Sequence, residues 1–184
     1  GSFAGLRSLT SMKHVGLNVA LDSLMSMTYI GVNGGLTLVV CDDPGIHSSQ
    51  NEQDTRLIAQ LATVPVLEPS DAQEALDFTR LSFELSERFD TPVIVRSTTR
   101  LSHTRSQVKL GNRDDIEPLP FNEDVVKNVM IPAHARLRHP FLLEREAKLI
   151  KHFGTDEINR IEPGTADYGI ITSGICYSYV KEVA

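Results

Sequence analysis

The chain has 184 residues, of which 41% are hydrophobic and 23% charged, and it carries a formal net charge of -6. That balance suits one folded α/β domain with some additional chain and excludes a disordered polymer. The acidic sum also argues against nucleic acid as a partner, because phosphate binding takes a basic domain or stripe. Cys41 and Cys176 lie far apart and outside any CxxC pair, so no disulfide framework, zinc site or iron–sulfur ligand set is expected in this stretch, and a reducing cytoplasm is the natural setting. No apolar run reaches the length of a membrane span and no signal-peptide pattern opens the chain, so no membrane association is expected.

Leu6 to Thr10 reads as a strand, followed by a helical stretch from Val15 to Ile30 that Gly31 to Gly35 breaks. Leu36 to Cys41 is the clearest strand, apolar or β-branched on both faces as an interior strand of a parallel sheet should be. Ser49 with Glu52 three positions on reads as a capping box for a helix running to Ala62. Val64 to Leu67 is a short third strand. Ser70 and Gln73 repeat the cap before a helix to Arg88, with Ala72, Ala75, Leu76, Thr79 and Phe83 on the face expected to pack, and Asp77, Arg80, Glu84 and Glu87 on the other. Pro92 to Val95 is the fourth strand. This alternation predicts right-handed βαβ units in a doubly wound, mostly parallel sheet.

From His103 to Pro140 the period disappears and Pro118, Pro120, Pro132 and Pro140 punctuate the segment, which reads as a linker. A helix from Phe141 to Phe153 follows, with a Glu144–Lys148 pair. The basic stretch from Arg136 to His152 also holds Glu144 and Glu146 and reads as a solvated helix face. After the turn Glu162-Pro163-Gly164, Tyr168 to Thr172 reads as a strand and Gly174 to Val183 as a helix. One β–α unit cannot bury its own apolar faces. The expected division is therefore an α/β domain over 1–103, a linker with one helix over 104–164, and the first strand and helix of a truncated second domain over 165–184.

Ligands gather at the carboxyl ends of strands in open α/β sheets, and three such ends carry polar clusters: Ser11 to His14, Asp42 to Glu52, and Arg96 to His103. Lys13, His14, His47, Ser48 and Arg100 are expected to lie near one another there. Each feature also has a plainer explanation. His14, His47 and His103 taken singly read as surface-loop histidines, Ser48 and Ser49 as helix caps, and Lys13 and Arg100 as cationic decoration. Asp42, Asp43 and His47 imitate a metal site, but adjacent acids at a strand end are more often turn formers, so no metal is expected. The chain has no G-x-G-x-x-G after a strand, no P-loop and no G-x-S-x-G elbow, which removes nucleotide-dependent dehydrogenases and α/β-hydrolases.

The string Thr10-Ser11-Met12-Lys13-His14-Val15-Gly16-Leu17-Asn18-Val19-Ala20 resembles the alpha subunit of indolepyruvate:ferredoxin oxidoreductases, within the thiamine-diphosphate-dependent 2-oxoacid:ferredoxin oxidoreductases. The likeness continues through Asp42-Asp43-Pro44-Gly45, His47 to Asp54, Leu67-Glu68-Pro69-Ser70 and Arg96 to His103, and more weakly at Tyr168 to Gly174 with Tyr177. It implies a domain that grips the aminopyrimidine end of thiamine diphosphate, across from one that holds the diphosphate and magnesium. It further implies coenzyme A-dependent oxidative decarboxylation of arylpyruvates, with electrons passing through 4Fe-4S clusters to ferredoxin, and partnership with a beta subunit and the other domains of the alpha subunit. In that picture Lys13 and His14 border the cofactor, His47, Ser48, Ser49 and Gln50 line the substrate side, and Arg100 with His103 supports the same edge. The resemblance also implies a ring-activating glutamate upstream, whereas the first acidic residue here is Asp22. The glycine-rich substrate loop, the diphosphate–magnesium motif and the cluster cysteines are missing too. The chain is thus expected to be a fragment or truncated relative, inactive by itself, or else a non-catalytic binding or assembly module that kept the fold.

Overall fold

The computed structural model describes residues 1–113, 115–154, 158–165 and 167–183. Four strands form one all-parallel sheet in the order β1-β2-β4-β3: β1 Ser8–Lys13, β2 Leu36–Asp42, β3 Val66–Leu67 and β4 Val93–Thr98. Alternation along the central strands supplies both cores. Leu38 and Val40 of β2 join Ile94 of β4 under α1 (His14–Val19), α2 (Leu21–Ile30) and α3 (Thr55–Ala62), through Leu17, Leu24, Ala59 and Ala62. Val93, one residue out of phase, faces the other way with Leu67 and Leu85, against Phe78, Leu81 and Phe89 of α4 (Ala72–Phe89) and Phe153 of α7 (Pro132–Phe153). Helices cover both faces, as the alternating pattern requires.

Several boundaries differ from the sequence expectation, and each difference has a local cause. β1 begins at Ser8 rather than Leu6, because its pairing with β2 starts at Ser8↔Leu36. The helix expected over Val15 to Ile30 is two helices that meet at Ala20. β4 runs three residues further than Val95, since its register with β2 continues to Asp42↔Thr98. Ser49 does not cap α3. Asp54 does, its side chain accepting from the Arg56 amide at 3.0 Å, while the Ser49 hydroxyl donates to Asp43. Asp71 likewise displaces Ser70 as the cap of α4, accepting from the Glu74 amide at 2.8 Å.

The buried stripe of α4 also differs. It carries Ser82, Leu85 and Ser86, while Ala72, Ala75, Leu76, Thr79 and Phe83 stay half-buried. The serines are admitted because their hydroxyls have partners: Ser82 with Thr37 at 2.7 Å, and Ser86 with the Thr91 carbonyl at 2.7 Å and the Leu36 amide at 2.9 Å. A count of apolar residues places the buried stripe to one side of its true centre when small hydroxyls complete hydrogen bonds to the sheet.

The linker contains α6 (Val125–Asn128), and α7 begins at Pro132 rather than Phe141, with Pro140 inside it. Pro132 sits in the first turn, where a missing N–H costs nothing. The stretch read as a solvated face is only partly so. Arg138 donates to the Tyr29 carbonyl and pairs with Asp90 at 3.1 Å, and Lys127 pairs with the same carboxylate at 2.7 Å. Arg145, 3% exposed, donates to the Thr28 and Asp90 carbonyls at 2.7 Å each. Burial pulls its guanidinium down to about 10, so it remains charged at neutral pH. The two arginines fasten α7, and Lys127 fastens α6, to the turns that follow α2 and α4.

Tyr168 to Thr172, expected as a strand, is not one, and among the described residues no strand pairs with it. The helix after it forms as α8 (Ile175–Val183), with the Ser178 hydroxyl donating to the Ser70 carbonyl at 3.0 Å. No helix among the described residues is long and apolar enough to cross a membrane.

Replacing Arg145 by Met keeps much of the side-chain volume and leaves the Thr28 and Asp90 carbonyls without their donor. The expected loss is about 2–4 kcal/mol in urea unfolding; an unchanged midpoint would show that these two bonds do not fasten α7.

Candidate functional site

β2 ends in two consecutive carboxylates, and successive residues of a strand point to opposite faces. Asp42 and Asp43 therefore serve two different structures, both almost completely buried at 2% and 1% exposure. Asp42 accepts from the Thr55 amide at 3.0 Å, from the Thr55 hydroxyl and from Arg96 Nε at 2.7 Å. Arg96 also pairs with Glu68 and approaches Asp54 at 3.8 Å, and Asp54 is clamped by Arg56 at 2.7 Å. The Arg56 hydrogen bond holds the Asp54 carboxyl below its ordinary value, and the same bond raises the arginine.

Asp43 organises the loop that follows. It accepts from the amides of Ser48 at 2.8 Å and His47 at 3.2 Å, and from the hydroxyls of Ser49 at 2.7 Å and Thr99 at 2.8 Å. Lys13 Nζ lies 3.3 Å from it. The loop turns back through Gly45 and Ile46, both at positive φ (83° and 56°), which lets its own amides reach the carboxylate. The Ser48 amide first, then Ser49 and Thr99, hold the Asp43 carboxyl well below the usual carboxylate range.

The expected site residues divide into two groups. Lys13 and Ser48 do meet: Nζ donates to the Ser48 carbonyl at 3.0 Å and pairs with its hydroxyl at 2.9 Å. With Asp43 these bonds occupy the ammonium. Ser49 is tied to the same carboxylate, and Gln50 is exposed. His14 is fully buried at the end of β1, its Nε2 3.1 Å from the Asn51 carbonyl and its Nδ1 without a partner. His47 and Arg100, by contrast, line a cleft of about 900 Å³ beside the strand ends. Arg100 follows Thr99, whose hydroxyl is on Asp43, so the loop and the end of β4 are joined through one carboxylate. His103 is exposed outside the cleft lining.

Sequence reasoning missed the ion-pair floor of this cleft: Asp42, Asp54, Arg56, Glu68 and Arg96 all line it. A signal was present. Arg96 interrupts an apolar run two residues after Ile94, which places it on the Ile94 face of the sheet, where a guanidinium needs a buried anion. Asp42 and Asp43 do more than form a turn, since each is the centre of its own hydrogen-bond network. Among the described residues no group of three His, Cys, Asp or Glu side chains could hold a metal ion. The cleft is less finished on its polar side. Gln53 Oε1, Thr98 Oγ1 and Thr172 Oγ1, all on lining residues, are shielded from solvent without a hydrogen-bond partner. Such atoms fit the nitrogen-rich edge of an aminopyrimidine; nothing among the described residues fits a diphosphate–magnesium group.

Comparison with known proteins bears on the same chain. Residues 2–160 match the family described as "Pyruvate flavodoxin/ferredoxin oxidoreductase, thiamine diP-bdg". Curated relatives include the indolepyruvate oxidoreductase subunit IorA of Pyrococcus horikoshii, 52% identical over 98% of this chain and 29% of its own length. The proteins of the same name from Archaeoglobus fulgidus (46% identical, 98% of this chain) and Methanothermobacter marburgensis (48%, 97%) are similar, and again 29% of their length is covered. The chain thus spans less than a third of the relatives it matches.

Substituting Asp43 by Asn removes the charge while keeping the shape. A carboxyl whose folded value is depressed stabilises fully above its unfolded value near pH 4, and that stabilisation is lost as pH falls further. At pH 7 the Asp43→Asn chain is expected to melt roughly 5–10 °C lower, and the gap to the parent should narrow below pH 4. A gap that is constant with pH would remove the charge from the explanation.

Proposed function

The chain belongs to the pyruvate flavodoxin/ferredoxin oxidoreductase family, in its thiamine diphosphate-binding part, and from that premise we propose that it forms one wall of the active site of an indolepyruvate oxidoreductase. The observation that carries this reading is the cleft at the strand ends, whose lining includes residues with buried unpartnered oxygens, Gln53, Thr98 and Thr172, and a cation in no ion pair among the described residues, Arg100. The name shared by the relatives supplies the substrate class.

In the proposed arrangement Lys13 and His14 stand behind the wall on the pyrimidine side, Lys13 held by Asp43 and Ser48 and His14 buried, with Gln53 and Thr98 on the lining there. On the substrate side His47 lines the cleft, Ser48, Ser49 and Gln50 form the loop that carries it, and Arg100 meets the carboxylate of the 2-oxoacid. Thiamine diphosphate, when bound, supplies the electron sink that lets the carbon–carboxylate bond break. This chain's own part is to bind and orient: the loop stays where Asp43 fixes it, and the Asp42–Arg96–Glu68 floor gives the cleft a rigid charged base. Magnesium, 4Fe-4S clusters, coenzyme A and ferredoxin enter only through the longer protein and its beta subunit. Residues 1–103 would be the pyrimidine-side domain, 104–164 its linker, and 165–184 the opening of a further domain. A reducing cytoplasm belongs to the same proposal and agrees with the free thiols of Cys41 and Cys176.

Calorimetric titration of the chain with thiamine diphosphate and magnesium tests the division of labour. A wall that grips one end of the cofactor should bind in the high-micromolar range or weaker and show no turnover with indolepyruvate. Sub-micromolar affinity would mean that this chain holds the diphosphate too.

A further inference from the structure

Resting on that reading of the cleft, we propose that α8 and the turn before it form the specificity wall of the site, with Ile175 and Tyr179 receiving the aromatic end of the 2-oxoacid. The cleft has two unlike sides. The sheet side is charged: Arg56 and Arg96 are matched by Asp54, Asp42 and Glu68, the fourth lining carboxylate, Glu52, accepts from the Gly45 amide at 3.0 Å, and Arg100 is the lining arginine in no ion pair among the described residues. The opposite side comes from residues 171–179, and its larger side chains are apolar or aromatic: Ile171, Ile175 and Tyr179. Ile171 is fully exposed and Tyr179 is 52% exposed, so neither is held there by core packing. An apolar surface standing across from an unpaired cation suits a ligand with an anionic head and a flat apolar body. A small oxoacid would meet the cation and leave the wall uncovered. An arylpyruvate reaches both.

The position of the wall is set by polar contacts outside the cleft. Ser178 donates to the Ser70 carbonyl at 3.0 Å, and Glu162 binds the Tyr177 hydroxyl at 2.6 Å and Lys181 at 2.9 Å. Tyr177 and Ser178 therefore anchor α8, while Tyr179 and Ile175, four residues apart and on one helical face, remain for the ligand. Thr172, on the same segment, brings one of the three unpartnered oxygens to the cleft.

The test measures binding of indole-3-pyruvate and of pyruvate to the 184-residue chain by calorimetry, with backbone NMR to locate the site. Indole-3-pyruvate should bind at least tenfold more tightly than pyruvate. Tyr179→Ala with Ile175→Ala should remove most of that ratio and leave pyruvate affinity within about twofold, while Tyr179→Phe keeps the ratio. Arg100→Met should weaken both acids alike, by about tenfold. Circular dichroism checks that each variant folds. Equal affinity for the two acids, or a ratio untouched in the Tyr179 and Ile175 variant, would overturn the wall while leaving the cleft as an oxoacid site. Failure of both acids to bind, or binding indifferent to Arg100→Met, would overturn the reading of the cleft and the wall with it.

Discussion

Two neighbouring buried carboxylates at the end of the central strand are the constraint on which the rest of this edge depends. An ionised carboxylate out of water is tolerated only when its oxygens are fully hydrogen-bonded or paired. Asp42 meets that condition by drawing Thr55, and so the start of α3, toward β4 through Arg96. Asp43 meets it by folding the following loop back on itself and collecting Thr99 from β4 and Lys13 from β1. One strand end thus joins all the segments that carry the candidate residues. The pleat makes this division necessary, because two adjacent side chains cannot serve the same side of a sheet.

The parts of the fold that were legible in the sequence are those with a dominant local signal. Leu36 to Cys41 is apolar on both faces, and only an interior parallel strand accommodates that. The strand–helix alternation then fixes the doubly wound sheet. What the sequence concealed was decided by partners distant along the chain. Ser49 has the spacing of a cap, yet the buried Asp43 competes for its hydroxyl and Asp54 takes the helix end instead. Ser82 and Ser86 carry no apolar signal, and their burial is explained only once Thr37 and Thr91 are placed beside them. Pro140 looks like a helix boundary, but α7 continues through it, with Arg138 and Arg145 on either side of the proline fastening that helix to the turns after α2 and α4.

The same distinction runs through the candidate site. Loop residues at strand ends could be gathered from topology alone, and His47 with Arg100 does line the cleft. Topology could not say which polar side chains serve the loop and which face the open space. Lys13 has the charge for ligand binding, but Asp43 and Ser48 already engage it. Arg100 has the same charge and, among the described residues, is in no ion pair. The difference is one of geometry: Lys13 reaches across from β1 toward the Asp43 loop, whereas Arg100 sits beyond the end of β4 at the cleft.

Membership in the family and the covered share of its relatives fit a chain that supplies rigidity and one wall, with the remaining chemistry elsewhere in a longer protein. That claim is open to one direct measurement. Backbone amide NMR of the chain, titrated together with thiamine diphosphate and indolepyruvate, reports weak binding residue by residue. Shifts confined to the strand ends and the segment that lines the same cleft, at Lys13 and His14, through Asp42 to Asp54, from Arg96 to His103 and over 171–179, are the expected result. Shifts gathered at the opposite edge around Gly31 to Gly35, or none at saturating ligand, would contradict it.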